Sequence, residues 1–279
     1  MQTVVEMMEE MAVPRLRLPR TRKYLNGEAG LWGEQHKRLR MEKVRRVCRT
    51  IGVCGYASRT KVMGDRIGLV IARTNEQPVI IAPSCLDYSH RDGAYDFRSV
   101  GTGVSLLGER QIRFLERLTR VLPQAEVRIL MPNQEADDPV LSRAVGRSRE
   151  ELLACVEASV AATRAKVASR GWQVRLMTDE IPNLVETEEQ LTAKLMSDGQ
   201  YFSRIVGETV ARLRMYERIC PQASFSELME RSARTSAQYL VMGEYVARHG
   251  YLVSSHTTTN LGWYLETGAA ILHLPVSVL

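Results

Sequence analysis

At 279 residues, with 44% hydrophobic and 25% charged side chains, the chain is long enough to bury a proper core and too balanced to be disordered or fibrous. No run approaches the ~18 apolar residues that span a bilayer, so no membrane partner is expected. A formal net charge of +6 leaves an anionic partner open.

The charge is concentrated. Between Arg15 and Arg49 there are twelve Lys or Arg against three acids, a block that includes Arg38, Arg40, Lys43, Arg45 and Arg46. Such a block fits either a phosphate-backbone contact or a solvated helix face. Few aromatics interrupt it, so base stacking is not indicated. Five dispersed cysteines without a CxxC pair predict reduced thiols rather than a disulfide framework or a zinc site. The opening Glu6, Glu9 and Glu10 do not form a secretory signal, and the expected compartment is the cytoplasm.

In chain order, residues 1–94 read as an N-terminal basic extension and β-hairpin. A short helix is expected over Val4–Ala12 and a basic helical segment over Leu31–Thr50. Two β-like runs, Ile67–Arg73 and Pro78–Ala82, flank Asn75-Glu76 and predict the hairpin. Ser84–Asp96 reads as a loop. Residues 95–279 read as the catalytic domain. A strand over Arg98–Ser105 leads to a helix over Glu109–Leu122, with Ile112, Leu115, Leu118 and Val121 at helical spacing. A strand follows over Val127–Met131. Ser148 with Glu151 makes a capping box that opens a long helix to Arg170, and Gly171 ends it. A strand over Trp172–Met177 precedes helices at Glu188–Glu217, broken near Gly199, and at Ser224–His249. This alternation predicts an α/β fold: a Rossmann-like doubly wound, mostly parallel sheet flanked by helices, with its site beyond the carboxyl ends of the strands.

One strand-end feature carries possible chemistry. The turn Val100-Gly101-Thr102-Gly103-Val104-Ser105-Leu106-Leu107-Gly108 allows either Ser105 as a helix cap or Ser105 as a nucleophile above the sheet. It matches neither a dinucleotide fingerprint nor a P-loop, and the strand end about 20 residues beyond it offers Pro132-Asn133 rather than an acid.

Over roughly residues 95–279 the chain resembles the tRNA-dependent cyclodipeptide synthases. The features that carry the resemblance are Gly103-Val104-Ser105, the helix to Leu122, Val127-Arg128-Ile129-Leu130 with Glu135 and Asp137 behind it, and Leu141-Ser142-Arg143-Ala144-Val145-Gly146-Arg147-Ser148 before a long helix. Asp198-Gly199-Gln200-Tyr201-Phe202 and the segment Thr267–Leu272 through Leu279 add to it. The resemblance implies a fold like the catalytic domain of class I tRNA synthetases, and transfer of an aminoacyl group from aminoacyl-tRNA to Ser105. A second aminoacyl-tRNA would supply the attacking amine. The tRNA ester is already activated, so neither metal nor other cofactor is implied. Gly103, Gly108 and Tyr201 fall at the substrate, and Arg147, Arg149, Arg164 and Lys166 on the long helix face tRNA with the basic block.

The chain departs from the family at two places. Gly108 stands where the family has Asn. The family's Tyr-x-x-x-Glu pair is matched either by Tyr239 and Glu244, one residue too far apart, or by His256 and Asn260, which lack the carboxylate. A π-bulge near Gly243 would restore the first pair. Two alternatives therefore stand beside the synthase: a transferase passing one aminoacyl group to a small amine or hydroxylamine in natural-product biosynthesis, and a non-catalytic tRNA-binding protein.

Overall fold

The structure is a computed structural model. It describes residues 42, 57–75, 77–84, 90–91, 94–95, 109–139, 142–143, 146–219, 222–255 and 258–273. The expected strand over 98–105 lies outside these residues, as do the expected arm helices apart from Glu42.

Five strands form one parallel sheet in the order β5-β4-β1-β6-β7: β1 (Val79–Pro83), β4 (Glu126–Met131), β5 (Gln173–Leu176), β6 (Leu252–Ser255) and β7 (Ala270–His273). The chain steps outward from β1 to β4 and β5, then resumes on the other side of β1 with β6 and β7. This is the doubly wound order of Rossmann-like sheets. β4 pairs with β5 from Arg128↔Gln173 to Met131↔Leu176, and β6 with β7 from Leu252↔Ala270 to Ser255↔His273. The expected α/β class is what the chain adopts. No helix among the described residues is long and apolar enough to cross a membrane.

Contacts group the described residues into two units. One contains the chain up to Ile80, Glu116–Ala125 and the part from Gly243 onward; the other contains Ile81–Leu115 and Glu126–Met242.

In the first unit, the expected hairpin is corrected. Helix α1 (Ala57–Arg73) covers the run Ile67–Arg73. Its Ile67, Val70 and Ile71 are buried at i, i+3 and i+4, so the apolar period is helical although the residues are β-branched. The helix ends as the Thr74 hydroxyl donates to Val70 O at 2.9 Å and Asn75 enters the left-handed region at φ 46°. The second run, Pro78–Ala82, is the start of the parallel strand β1. Within the span expected as a loop, and in the second unit, β2 (His90–Arg91) pairs antiparallel with β3 (Ala94–Tyr95). Tyr264 and Trp263, on α8 (Thr258–Glu266), are fully buried beside a core of Leu252, Val253, Ile271 and Leu272. Arg66 ties α1 to the turn before β7, donating to Leu265 O and Ala269 O, each at 3.3 Å.

The second unit holds most of the helical mass. α3 (Arg149–Val167) begins with the capping box read from the sequence: the Ser148 hydroxyl accepts from Glu151 N, and the Glu151 carboxylate accepts from Ser148 N at 2.7 Å. Gly171 closes the segment at φ 66°. A short helix α4 (Met177–Glu180) follows β5. Helices α5 (Leu184–Ser197) and α6 (Gly199–Ile219) divide at Asp198, next to the expected break at Gly199. Helix α7 (Phe225–His249) starts at Ser224, whose hydroxyl and Glu227 form a second reciprocal cap. Helix α2 (Glu109–Val121), which precedes β4 and belongs to the second unit up to Leu115 and to the first from Glu116, buries Ile112, Leu115 and Leu118 as its periodicity requires.

Candidate functional site

Beyond the carboxyl ends of β4 and β5, charged and amide side chains turn inward within the second unit. Met131 ends β4, and residues Asn133–Asp137 form one 3-10 turn. Ala136 packs on Leu152 and Leu153 of α3, which anchors that turn. Asn133 fixes it to the opening of α4, donating to Thr178 Oγ1 at 2.8 Å and accepting from Thr178 N at 3.3 Å.

The turn delivers Asp138 to α7, where its carboxylate pairs with the Arg231 guanidinium. Both side chains are under a tenth exposed, at 9% and 6%. One and two turns further along α7, Arg234 and Gln238 continue the same face. Gln134 and Gln238 both direct their amide nitrogens at the Met177 sulfur, at 3.3 and 3.8 Å. A thioether is a weak acceptor, so neither amide is held firmly.

Glu188 of α5 completes the cluster. Its Oε1 lies 3.9 Å from Arg234 Nη1, a loose contact, and its side chain is only 5% exposed. Burial pushes its carboxyl up to about 7. Arg234 opposes the shift, and the charges of Asp138, Glu189 and Asp137 add to it. Glu188 Oε2 and Gln134 Oε1 are buried with no hydrogen-bond partner among the described residues. A buried carboxyl titrating near neutrality beside a buried ion pair is the arrangement found at working sites.

No motif in the sequence marks these residues. Glu188 occupies an apolar position of the stripe Leu184, Glu188, Leu191, Leu195, all buried. Arg231 sits similarly between Leu228 and the buried Gln238. An acid or a base interrupting a core stripe was the available signal.

A second strand end is also occupied. Ser84 follows β1 directly and is buried. Its backbone N donates to Leu130 O at 2.9 Å, and its hydroxyl reaches Leu130 O at 3.2 Å and Met131 Sδ at 3.0 Å. Ser84 thus stands at the carboxyl end of β1, which precedes α2 among the described strands of the sheet. Separately, in the first unit, Ser254 and Ser255 close β6 with buried hydroxyls that have no partner among the described residues.

The residues expected from sequence fall as follows. Gly103, Ser105, Gly108, His256, Arg38, Arg40, Lys43, Arg45 and Arg46 lie outside the described residues. Asn260 is on α8, and Tyr201 is half-buried in the first turn of α6. Tyr239 and Glu244 are half-buried on α7, which is α-helical from Phe225 to His249. No π-bulge intervenes near Gly243, so the two residues project about 140° apart. Gly243 has a packing reason of its own: a Cβ there would meet Thr267 Oγ1 at 2.4 Å.

Of the basic residues expected to face tRNA, Arg149 pairs with Asp137, and Arg147 Nη1 lies 2.7 Å from Cys155 Sγ. Arg164 donates to Val174 O at 3.2 Å, and the Lys166 carbonyl accepts from Arg170 at 3.0 Å. Among the described residues no group of three or more His, Cys, Asp or Glu is placed to hold a metal ion. No family model, curated protein or solved structure matches the chain.

Proposed function

We propose that the chain is an aminoacyltransferase that takes activated aminoacyl groups from aminoacyl-tRNA and forms amide bonds through an aminoacyl-serine, as the cyclodipeptide synthases do. The observation that carries this is the collinear series of motifs that resembles that family. Helix, strand, acidic turn, Gly146-Arg147-Ser148 and long helix follow one another in α2, β4, the turn at 133–137 and α3. The doubly wound order of the sheet is compatible with a synthetase-like catalytic domain. In this scheme Ser105 is the nucleophile and the tRNA ester supplies the activation. The basic block Arg15–Arg49 contributes the phosphate contacts.

One observation favours a single transfer over dipeptide cyclisation. The family's Tyr/Glu pair shares one helix face, whereas Tyr239 and Glu244 diverge on a regular α7. A site without that pair suits a small amine acceptor better than a second aminoacyl-tRNA.

Incubation with a pool of charged tRNAs tests the proposal. The chain is expected to deplete one aminoacyl ester much faster than buffer hydrolysis. The product, a cyclic dipeptide or an aminoacylated amine, separates the two forms. Ester loss at the buffer rate for every charged tRNA, with and without added amines, contradicts the proposal.

A further inference from the structure

We propose that the outer face of α6 docks a second copy of this chain, antiparallel and about a two-fold axis. The inference is independent of the aminoacyl-transfer reading, since it concerns neither RNA nor the strand ends.

Between Gly199 and Ala211, helix α6 is inside out. Its two charged residues there, Arg204 and Glu208, pair with each other at 3.2 Å. Glu208 also accepts from the Ser236 hydroxyl of α7 at 3.3 Å, so the pair is turned toward the protein. The solvent side carries Phe202 at 38% and Val210 at 55% exposure, with the half-buried Val206 between them. Gly199, Ser203, Gly207 and Ala211 are exposed beside them, with Gln200 at the margin. Even the Ser203 hydroxyl is satisfied within the helix, donating to Gly199 O at 3.1 Å. A surface helix ordinarily sends its charges outward, so an uncharged, apolar outer face marks a contact surface.

Shape, charge and size together select a second copy as the occupant. Phe202, Val206 and Val210 form a ridge at i, i+4 and i+8, and Gly199, Ser203 and Gly207 form the adjoining groove. A Cβ at Gly199 or Gly207 would meet nothing within 4 Å, so the groove is open. Antiparallel pairing about an axis midway between Ser203 and Val206 sets Phe202 against Gly207 of the second copy. The same pairing sets Val206 against Ser203 and Val210 against Gly199. Each large side chain meets a small one, and the contact is isologous, as a closed dimer requires. Parallel pairing would instead set valine on valine and glycine on glycine.

The chain carries a net charge of +6, so two copies repel wherever like charges meet. A face without charged side chains escapes that penalty. At about 1.5 Å per residue the face is roughly 20 Å long. A contact of that length falls short of the ~800 Å² per partner of standard interfaces, so the dimer is weak and reversible.

Sedimentation velocity of the full chain from about 1 μM to about 500 μM tests the proposal. The expected result is a reversible monomer–dimer equilibrium. Phe202→Glu and Gly207→Lys each place a charge in the contact, and each is expected to weaken dimerisation at least about tenfold. Both positions face solvent in the monomer, so the fold is retained, which circular dichroism checks. Mixing the two variants sets the new carboxylate against the new ammonium and keeps one native Phe202–Gly207 contact. The mixture is therefore expected to associate more tightly than either variant alone. A wild type that is monomeric at every concentration overturns the proposal. Variants that dimerise as the wild type does, or a mixture no tighter than its components, overturn it as well.

Discussion

The two compact units solve burial in different ways. The unit around β6 and β7 is filled by aromatic and aliphatic side chains, with Trp263, Tyr264, Ile271 and Leu272 fully buried, and it relies on close fit at Gly243. The unit around β4 and β5 buries charge as well: Asp138 with Arg231, Glu188 near Arg234, and Glu180 accepting from both Arg128 and Arg175 at 2.7 Å. Well-packed apolar residues generally stabilise a fold at least as well as buried ions. The difference therefore points to the second unit as the one whose interior serves a purpose beyond holding the chain together.

Substitutions sharpen this contrast. The largest effect is expected at the buried ion pair. Asp138→Asn or Arg231→Met alone should cost about 3–5 kcal/mol in denaturant unfolding, because each leaves a buried charge uncompensated. The double substitution Asp138→Leu with Arg231→Met should recover most of that loss. Additive losses would mean that the pair is not coupled in this way.

In the first unit the sensitive feature is shape. Gly243→Ala forces a methyl to within 2.4 Å of Thr267 Oγ1 and should cost about 1–3 kcal/mol. A full-strength Gly243→Ala protein would show that α7 has freedom to shift there.

Glu188 gives an effect of opposite sign. Its carboxyl is raised in the folded state from 4.5 to about 7, so the folded chain binds the proton more tightly than the unfolded one. The resulting stability is fully present below pH 4.5 and is lost as pH rises through about 7. Glu188→Gln should accordingly stabilise the chain above pH 7, by on the order of 2 kcal/mol, and remove this part of the pH dependence. Stability curves of wild type and variant that run parallel from pH 4 to pH 8 would place the Glu188 carboxyl at an ordinary value.

The features legible in the sequence were those set by local rules. The capping box at Ser148, the stop at Gly171, the break at Gly199 and the helix periodicity of Ile112, Leu115 and Leu118 each depend on a few neighbouring residues. Ile67–Arg73 misled because β-branched composition and helical spacing pointed in different directions, and tertiary burial of Ile67, Val70 and Ile71 favours the helix. The strands Leu252–Ser255 and Ala270–His273 are only four residues each, too short for a period to show. The buried cluster is non-local. Asp138 and Arg231 are 93 residues apart, and nothing in either neighbourhood announces the other.

The proposed acyl transfer through a serine is tested most directly by intact-protein mass spectrometry after incubation with charged tRNAs. The wild type is expected to gain the mass of one aminoacyl group, and Ser105→Ala to gain none. An adduct that persists in Ser105→Ala but disappears in Ser84→Ala would move the nucleophile to the end of β1. No adduct on the wild type, with charged tRNA bound and unreacted, would contradict the covalent mechanism.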